Sequence, residues 1–198
     1  MKKIGIYSGT FDPIHNGHIS FAREAMNKYG LDKVFFLPEP RPRRKQGVKA
    51  FNHRVEMLRL ALLRQSGMGT VILKHSRFSV QYTLPLLLDR FAGTRMYLLI
   101  GDDALDHLVD WPNVEALQVV NLIIGVRKKS VAEVHNTVEA ICRTKGVVFR
   151  YNVFQAQNSD ISSSYVRKEL RHGKKPAGLN SSVQKYISAN NLYSISGE

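Results

Sequence analysis

Apolar residues along this chain come in short runs that alternate with amphipathic stretches. Ile4-Gly5-Ile6-Tyr7 predicts a buried strand, and the pattern from Ile19 to Met26 predicts a helix that Gly30 closes. Val34-Phe35-Phe36-Leu37 predicts a second strand. Pro38-Glu39-Pro40-Arg41-Pro42 then breaks regular structure, so 38–50 reads as an extended basic loop. Asn52 is placed to cap a helix carrying Val55, Leu58 and Leu62, with Met57 and Ala61 on its flank. Val71-Ile72-Leu73 predicts a third strand, and Ser79 to Phe91 a helix with Leu84, Leu87, Leu88 and Phe91 inward. Met96 to Ile100 is a continuous apolar run, as expected of a strand buried on both faces. Helical signals over 103–118 break near Trp111-Pro112. Val119 to Val126 predicts a strand, Ser130 to Thr144 an amphipathic helix, and Val147-Val148-Phe149 the last clear strand. Beyond the polar stretch from Gln155 to Ser164, a helix capped near Ser162 runs to about His172. Gly173 stops it, and Ser181 to Ala189 forms the final helix.

About six strands, each followed by helix and reading as buried, predict an α/β fold. The expected architecture is a doubly wound, Rossmann-like open sheet of mainly parallel strands. Helices cover both faces, and a small helical end closes the chain. No internal repeat, low-complexity tract or linker is visible. Residues 1–198 therefore read as one domain, with 160–198 its C-terminal helical part.

Composition narrows the setting. The chain has 198 residues, 43% hydrophobic and 23% charged, as in soluble globular proteins. It has no run of about 18 apolar residues, so no membrane span or membrane partner is expected. The N-terminus lacks the apolar core of a signal peptide. The single cysteine, Cys142, allows no intramolecular disulfide and gives no metal-site spacing, which fits a reducing, cytoplasmic setting. The net charge of +13 suits nucleic acids or small polyphosphates, and some proteins are simply soluble that way. The basic residues are dispersed apart from Arg41-Pro42-Arg43-Arg44-Lys45. No aromatic-interleaved basic stripe is present, so nucleic acid is not the expected partner.

The chemistry concentrates at residues 9–18, Gly-Thr-Phe-Asp-Pro-Ile-His-Asn-Gly-His, a strand-to-helix junction. In open α/β sheets ligands bind at such junctions, outside the carboxyl ends of the strands. His15 and His18, three residues apart, fall on one side of the first helical turn. Unpaired N–H groups and the positive end of the dipole make phosphate the natural guest there. The plain alternative is two surface imidazoles at a helix start.

Gly-Thr-Phe-Asp-Pro-x-His-x-Gly-His together with the late Ile161-Ser162-Ser163-Ser164-Tyr165-Val166-Arg167 resembles the nucleotidyltransferase superfamily, with its HxGH and ISSTxxR motifs. Within it, the chain is most similar to bacterial nicotinate mononucleotide adenylyltransferases over nearly its full length. His53-Arg54-x-x-Met57-Leu58, Tyr82-Thr83, Ile100-Gly101-x-Asp103-x-Leu105, Trp111 and Val183-x-x-Tyr186-Ile187-x-x-x-x-Leu192-Tyr193 fall in the expected order. Pantetheine-phosphate adenylyltransferases share the two outer motifs, but are shorter and lack the Trp111 segment and this ending. Four departures stand out. Ser164 replaces a usual Thr, and Arg41 to Lys45 replaces Pro-Pro-His-Lys. Arg127-Lys128-Lys129 replaces Arg-Pro-Gly, and Asn180 replaces a proline.

The resemblance implies transfer of AMP from ATP to nicotinate mononucleotide, giving deamido-NAD and pyrophosphate. Nicotinamide mononucleotide is the alternative acceptor. A nucleotide-binding protein without turnover is the alternative class. The attacking phosphate is already anionic, so the chemistry asks for alignment and charge neutralisation rather than a general base. By resemblance, His15, His18 and Arg167 are catalytic. The ATP site comprises Gly9, Thr10, Phe11, His15, Gly17, His18, Lys45, Ile161, Ser162, Ser163 and Arg167. In this reading Ser162 and Ser163 offer hydroxyls and N–H groups to the β- and γ-phosphates. Lys45, with Arg43 and Arg44, closes over the phosphates from a mobile loop, or else is a solvated charge run. Thr10, Tyr82, Thr83, Asp103 and Trp111 form the acceptor site. Trp111 stacks on the pyridine ring, or alternatively fills core. Asp103 bonds a ribose or orders the pocket, Asp102 faces solvent, and Asp12-Pro13 shapes the turn. Mg²⁺ is expected to arrive with ATP, held by phosphates and water, with no dedicated metal cage. A homo-oligomer is compatible with the sequence.

Overall fold

The computed structural model describes residues 1–42, 45–75, 77–157 and 161–194. Its centre is one sheet of six strands, all parallel, in the order β3-β2-β1-β4-β5-β6. The strands are β1 (Lys3–Gly9), β2 (Lys33–Pro38), β3 (Met68–Thr70), β4 (Arg95–Gly101), β5 (Asn121–Val126) and β6 (Arg150–Gln155). The helices are α1 (Asn16–Tyr29), α2 (Phe51–Leu62), α3 (Thr83–Arg90), the single turn α4 (Asp102–Leu105), α5 (Val131–Lys145), α6 (Ser163–Arg171) and α7 (Ser181–Ala189). Two 3₁₀ segments, Leu108–Asp110 and Val114–Val119, flank Trp111.

The pleat sorts the strand residues into two cores. Ile4, Ile6, Leu98, Ile100, Leu122 and Ile124 face α3 and α5, through Leu84, Leu87, Val134 and Val138. Val34, Phe36, Tyr97, Leu99 and Ile123 face α1, α2 and α7, through Phe21, Met57, Leu58, Val183 and Ile187. A strand buried on both sides reads as a continuous apolar run, which is why β4 and β5 are unbroken in the sequence. Gly125 of β5 lets Phe21 lie flat on the sheet: a Cβ there would come within 1.9 Å of the ring.

The sheet edges differ from the sequence reading. The third strand is 68–70 rather than 71–73. The last is 150–155 rather than 147–149. Pairing register sets both: Met68 stands opposite Val34, and Arg150 opposite Asn121. The apolar residues that marked the expected strands, Val71, Val147 and Phe149, are buried just outside the ladder. Helix α2 begins after Ala50, one residue before the expected cap Asn52. Helix α3 starts at Thr83, because Ser79 first makes a turn whose carbonyl accepts from both Thr83 and Leu84 N–H.

The order places β1 beside β4, with the chain winding outward in both directions from that pair. This is the switch point at which open sheets leave a crevice beyond the strand ends. Among the described residues no helix is long and apolar enough to cross a membrane.

Candidate active site

A cavity of about 670 Å³ opens over the carboxyl ends of β1 and β4. Gly9, Thr10, Phe11, His15, Gly17 and His18 line it from the β1–α1 side. Ile161 and Ser162 just before α6, with Ser163 and Arg167 in it, line the other side, and Asp103, Trp111 and Lys45 complete the predicted residues it gathers.

The β1–α1 loop is a tight, buried crossing. Phe11 adopts φ 49°, a left-handed conformation that costs energy outside glycine and persists only where surroundings enforce it. The enforcement is visible. Its ring is buried against Tyr7, Phe36 and His18. The preceding carbonyl, of Thr10, accepts from Arg54 Nη1 at 2.7 Å. Arg54 is 1% exposed and also donates to the carbonyls of Glu39, Pro40 and Lys49 at 2.9 Å. One guanidinium thus ties the β1–α1 loop to both ends of the basic loop.

His15 and His18 lie face to face at the helix start, centroids 3.7 Å apart. The backbone N–H of His15 donates to His18 Nδ1 at 3.3 Å. A neutral His18 therefore carries its proton on Nε2. Burial first, then the neighbouring His15, Arg127 and Lys45, push the His18 pKa well below its ordinary value. Burial, followed by Arg127, lowers that of His15 to about 4. Both rings are neutral at physiological pH. His15 Nδ1 is buried and has no hydrogen-bond partner among the described residues.

Three cations project into the same space. Lys45 Nζ donates to Thr10 Oγ1 at 2.9 Å. Arg167 donates to the Asp12 carbonyl at 2.7 Å and to Ser164 Oγ at 3.1 Å. Neither forms an ion pair among the described residues. Arg127, at the end of β5, is paired with Asp103 at 2.7 Å. Unpaired cations beside two helix N-termini favour a polyanion.

Several expectations change here. Tyr82 and Thr83 lie outside the cavity lining. The Tyr82 ring is 57% exposed and parallel to His75, whereas the buried Thr83 hydroxyl donates to the Ser79 carbonyl at 2.5 Å. The Ser162 and Ser163 hydroxyls are already engaged. Ser162 Oγ caps α6 by accepting Tyr165 N–H, and Ser163 Oγ donates to the Pro13 carbonyl at 3.0 Å. Asp102 does not face solvent: it is 2% exposed and accepts the N–H groups of Arg127, Lys128 and Lys129, which hold its pKa down although burial opposes this. Lys128 stands where the family pattern has proline, which would lack one of those donors. Asn180, also in place of a proline, caps α7 by accepting Ser182 N–H. Trp111 is partly buried and packs on Phe78, centroids 5.8 Å apart. Arg43 and Arg44 lie outside the described residues.

The sequence reading gave no site role to Arg54, Glu39, Arg127 or Tyr193. Glu39 accepts from Ser8 Oγ and Phe78 N–H, joining β1 to the Trp111 pocket. Arg54 did leave a signal: it shares a helical face with Met57, Leu58 and Ala61, all buried. A charge on that stripe needs buried partners.

Such a crevice, with helix N-termini and unpaired cations around a neutral histidine pair, defines a nucleotide-handling α/β transferase. Residues 6–169 match the cytidylyltransferase-like family model. The chain is 31% identical to the nicotinate-nucleotide adenylyltransferase of Bacillus subtilis, over 98% of this chain and 99% of that protein. The fold superposes on Plasmodium falciparum nicotinic acid mononucleotide adenylyltransferase complexed with NaAD, with TM-score 0.79, 20% identity and 98% of both chains covered. The same enzyme complexed with APC gives TM-score 0.76 at 19% identity, again over 98% of both chains. The chain belongs to the cytidylyltransferase-like family, in its nicotinate-nucleotide adenylyltransferase branch.

Proposed function

We propose that the protein transfers the AMP moiety of ATP to nicotinate mononucleotide, releasing pyrophosphate and forming deamido-NAD. A 5′-phosphate oxygen of the mononucleotide attacks the α-phosphorus of ATP. The new P–O bond forms as the bond to the bridging oxygen breaks, and pyrophosphate leaves with that electron pair. The observation that carries this reading is the neutral histidine pair, its His18 Nε2–H fixed by the His15 N–H, in one cavity with unpaired Lys45 and Arg167.

In this mechanism the N-termini of α1 and α6 receive the triphosphate with Lys45 and Arg167. Ser162 and Ser163 act through their backbone N–H groups, since their hydroxyls are engaged within the fold. His18 donates to a non-bridging α-phosphate oxygen as it gains charge, and His15 offers its ring N–H beside it. Gly9 and Gly17 let the phosphates approach the backbone. Trp111 and Phe78 supply the apolar surface for the pyridine ring, and Asp103 bonds a ribose hydroxyl. Tyr82 and Thr83 would reach the acceptor only through a rearrangement of the turn before α3. Magnesium would arrive with ATP, held by phosphate oxygens and water, and would add charge neutralisation at the phosphates. The basic charge serves phosphate attraction rather than nucleic acid, and the free Cys142 fits a cytoplasmic enzyme.

Pyrophosphate release, measured with nicotinate mononucleotide, nicotinamide mononucleotide and phosphopantetheine, tests the reading. Nicotinate mononucleotide gives the highest kcat/KM. A higher value for another acceptor overturns the substrate assignment, and no release with any of them overturns the reaction.

A further inference from the structure

We propose that Tyr193, 181 residues away from Asp12 in sequence, is a positioning residue for the catalytic loop, acting through the Asp12 carboxylate. The inference rests on the adenylyl-transfer reading for its kinetic consequence, but not for its geometry.

Tyr193 and Asp12 are 4% and 3% exposed, and the phenol donates to Asp12 Oδ1 at 2.5 Å. The same oxygen accepts Lys49 N–H at 3.4 Å, from the basic loop. The Lys49 ammonium lies 5.5 Å from the centre of the Tyr193 ring. Tyr193 therefore touches both the catalytic loop and the segment that brings Lys45 to Thr10. Its own backbone is held at φ 64°, a left-handed conformation uncommon for a bulky residue. Strain of this kind persists where surrounding contacts over-determine it and clusters at functional sites.

Three further bonds join the same stretch to the last third of the chain. Arg167 donates to the Asp12 carbonyl, Ser163 Oγ to the Pro13 carbonyl, and Asn16 N–H to the Gly178 carbonyl at 2.7 Å. Residues 12–16 thus hang from the last third of the chain at four points, and His15 lies within them. Of the four, Tyr193 alone meets the Asp12 side chain. Removing its hydroxyl leaves Asp12 Oδ1 with only the long contact to Lys49 N–H. The carboxylate then turns toward other donors, and the loop that sets the imidazoles turns with it. Misplacement on the order of 1 Å is enough to slow an in-line displacement.

Tyr193→Phe keeps the ring volume and removes only the phenolic oxygen, so it separates positioning from core filling. In the pyrophosphate-release assay at saturating substrates, kcat falls about tenfold while both KM values stay within about threefold. A kcat within about twofold of wild type overturns the inference, as does a fall accompanied by unfolding at the assay temperature. A second readout needs no turnover. The imidazole signals of His15 and His18, followed by NMR in the substrate-free protein, shift in the variant. Unchanged signals overturn the inference. Shifted signals in a protein that releases no pyrophosphate even as wild type leave the clasp standing and remove the reaction instead.

Discussion

The low pKa of His15 gives a stability prediction that can be worked from the structure. The group falls from 6.5 to about 4 on folding, chiefly because burial at 4% exposure removes its hydration, with Arg127 adding repulsion. The unfolded chain binds the proton first, so stability from this group is complete above the unfolded value and is lost as pH falls toward the folded one. Between about pH 7.5 and about pH 5 the unfolded imidazole takes up nearly a full proton and the folded one about a tenth, a linkage loss of about 2 kcal/mol. Taken to still lower pH, the loss reaches about 3 kcal/mol. His18 moves in the same direction and adds its own share. The perturbation is His15→Asn, which removes one titrating group. Urea unfolding of wild type and variant at both pH values isolates it, because carboxylate contributions common to the two proteins cancel. Wild type loses about 2 kcal/mol more than the variant across the window. Equal losses, within about 0.5 kcal/mol, would mean that residue 15 is not buried as a neutral imidazole, and the donor role built on that neutrality would fall with it.

Three further outcomes test the site. His18→Ala lowers kcat by about 10²-fold or more, the usual effect of removing a donor to a developing charge, while ATP binding measured by calorimetry persists; full activity refutes the assignment. Arg54→Met leaves four carbonyls, one buried and three partly buried, without their donor and costs about 3 kcal/mol in urea unfolding, and a loss below about 1 kcal/mol contradicts the network. Trp111→Ala raises the KM for the mononucleotide about tenfold, the scale of one lost aromatic stacking contact, with little change for ATP. The reverse pattern places the adenine, not the pyridine, on that side.

What the sequence disclosed follows a physical line. β4 and β5 were legible because strands buried on both faces carry few polar residues beyond their ends. The edge strands β3 and β6 were displaced because their ends are set by the partner strand, which no local pattern records. The two motifs at the starts of α1 and α6 were legible because a helix N-terminus is a local structure with local residue requirements. Asp102 was misread as solvent-facing because its donors come from the turn after β5, 25 to 27 residues later. Tyr82 and Thr83 stand in the expected order in the chain, but order does not record the turn from Ser79 that leaves them outside the cavity lining. Asp12 read as a turn residue because Tyr193 and Arg167, which give it more than that to do, are more than 150 residues distant.

These distant contacts bear on how the proposed site divides its work. In the proposed mechanism Lys45, Arg167 and the helix termini meet charge that ATP carries from the start, so they would bind substrate and transition state alike and act mainly on affinity. A protonated histidine pair would join them, adding ground-state attraction and repelling Arg127. Burial prevents this. It leaves two neutral rings whose N–H groups are modest partners for a resting phosphate and better ones for an oxygen gaining charge as the pentavalent state forms. That preference has value only if the rings do not turn as the charge develops. The fixed Nδ1 contact of His18, the Thr10 carbonyl held by Arg54 and the grip of Tyr193 on Asp12 all act on the ten-residue span that carries both rings. In the proposed mechanism the tethering of that span, more than the count of positive charges around it, separates this arrangement from a site that merely binds ATP.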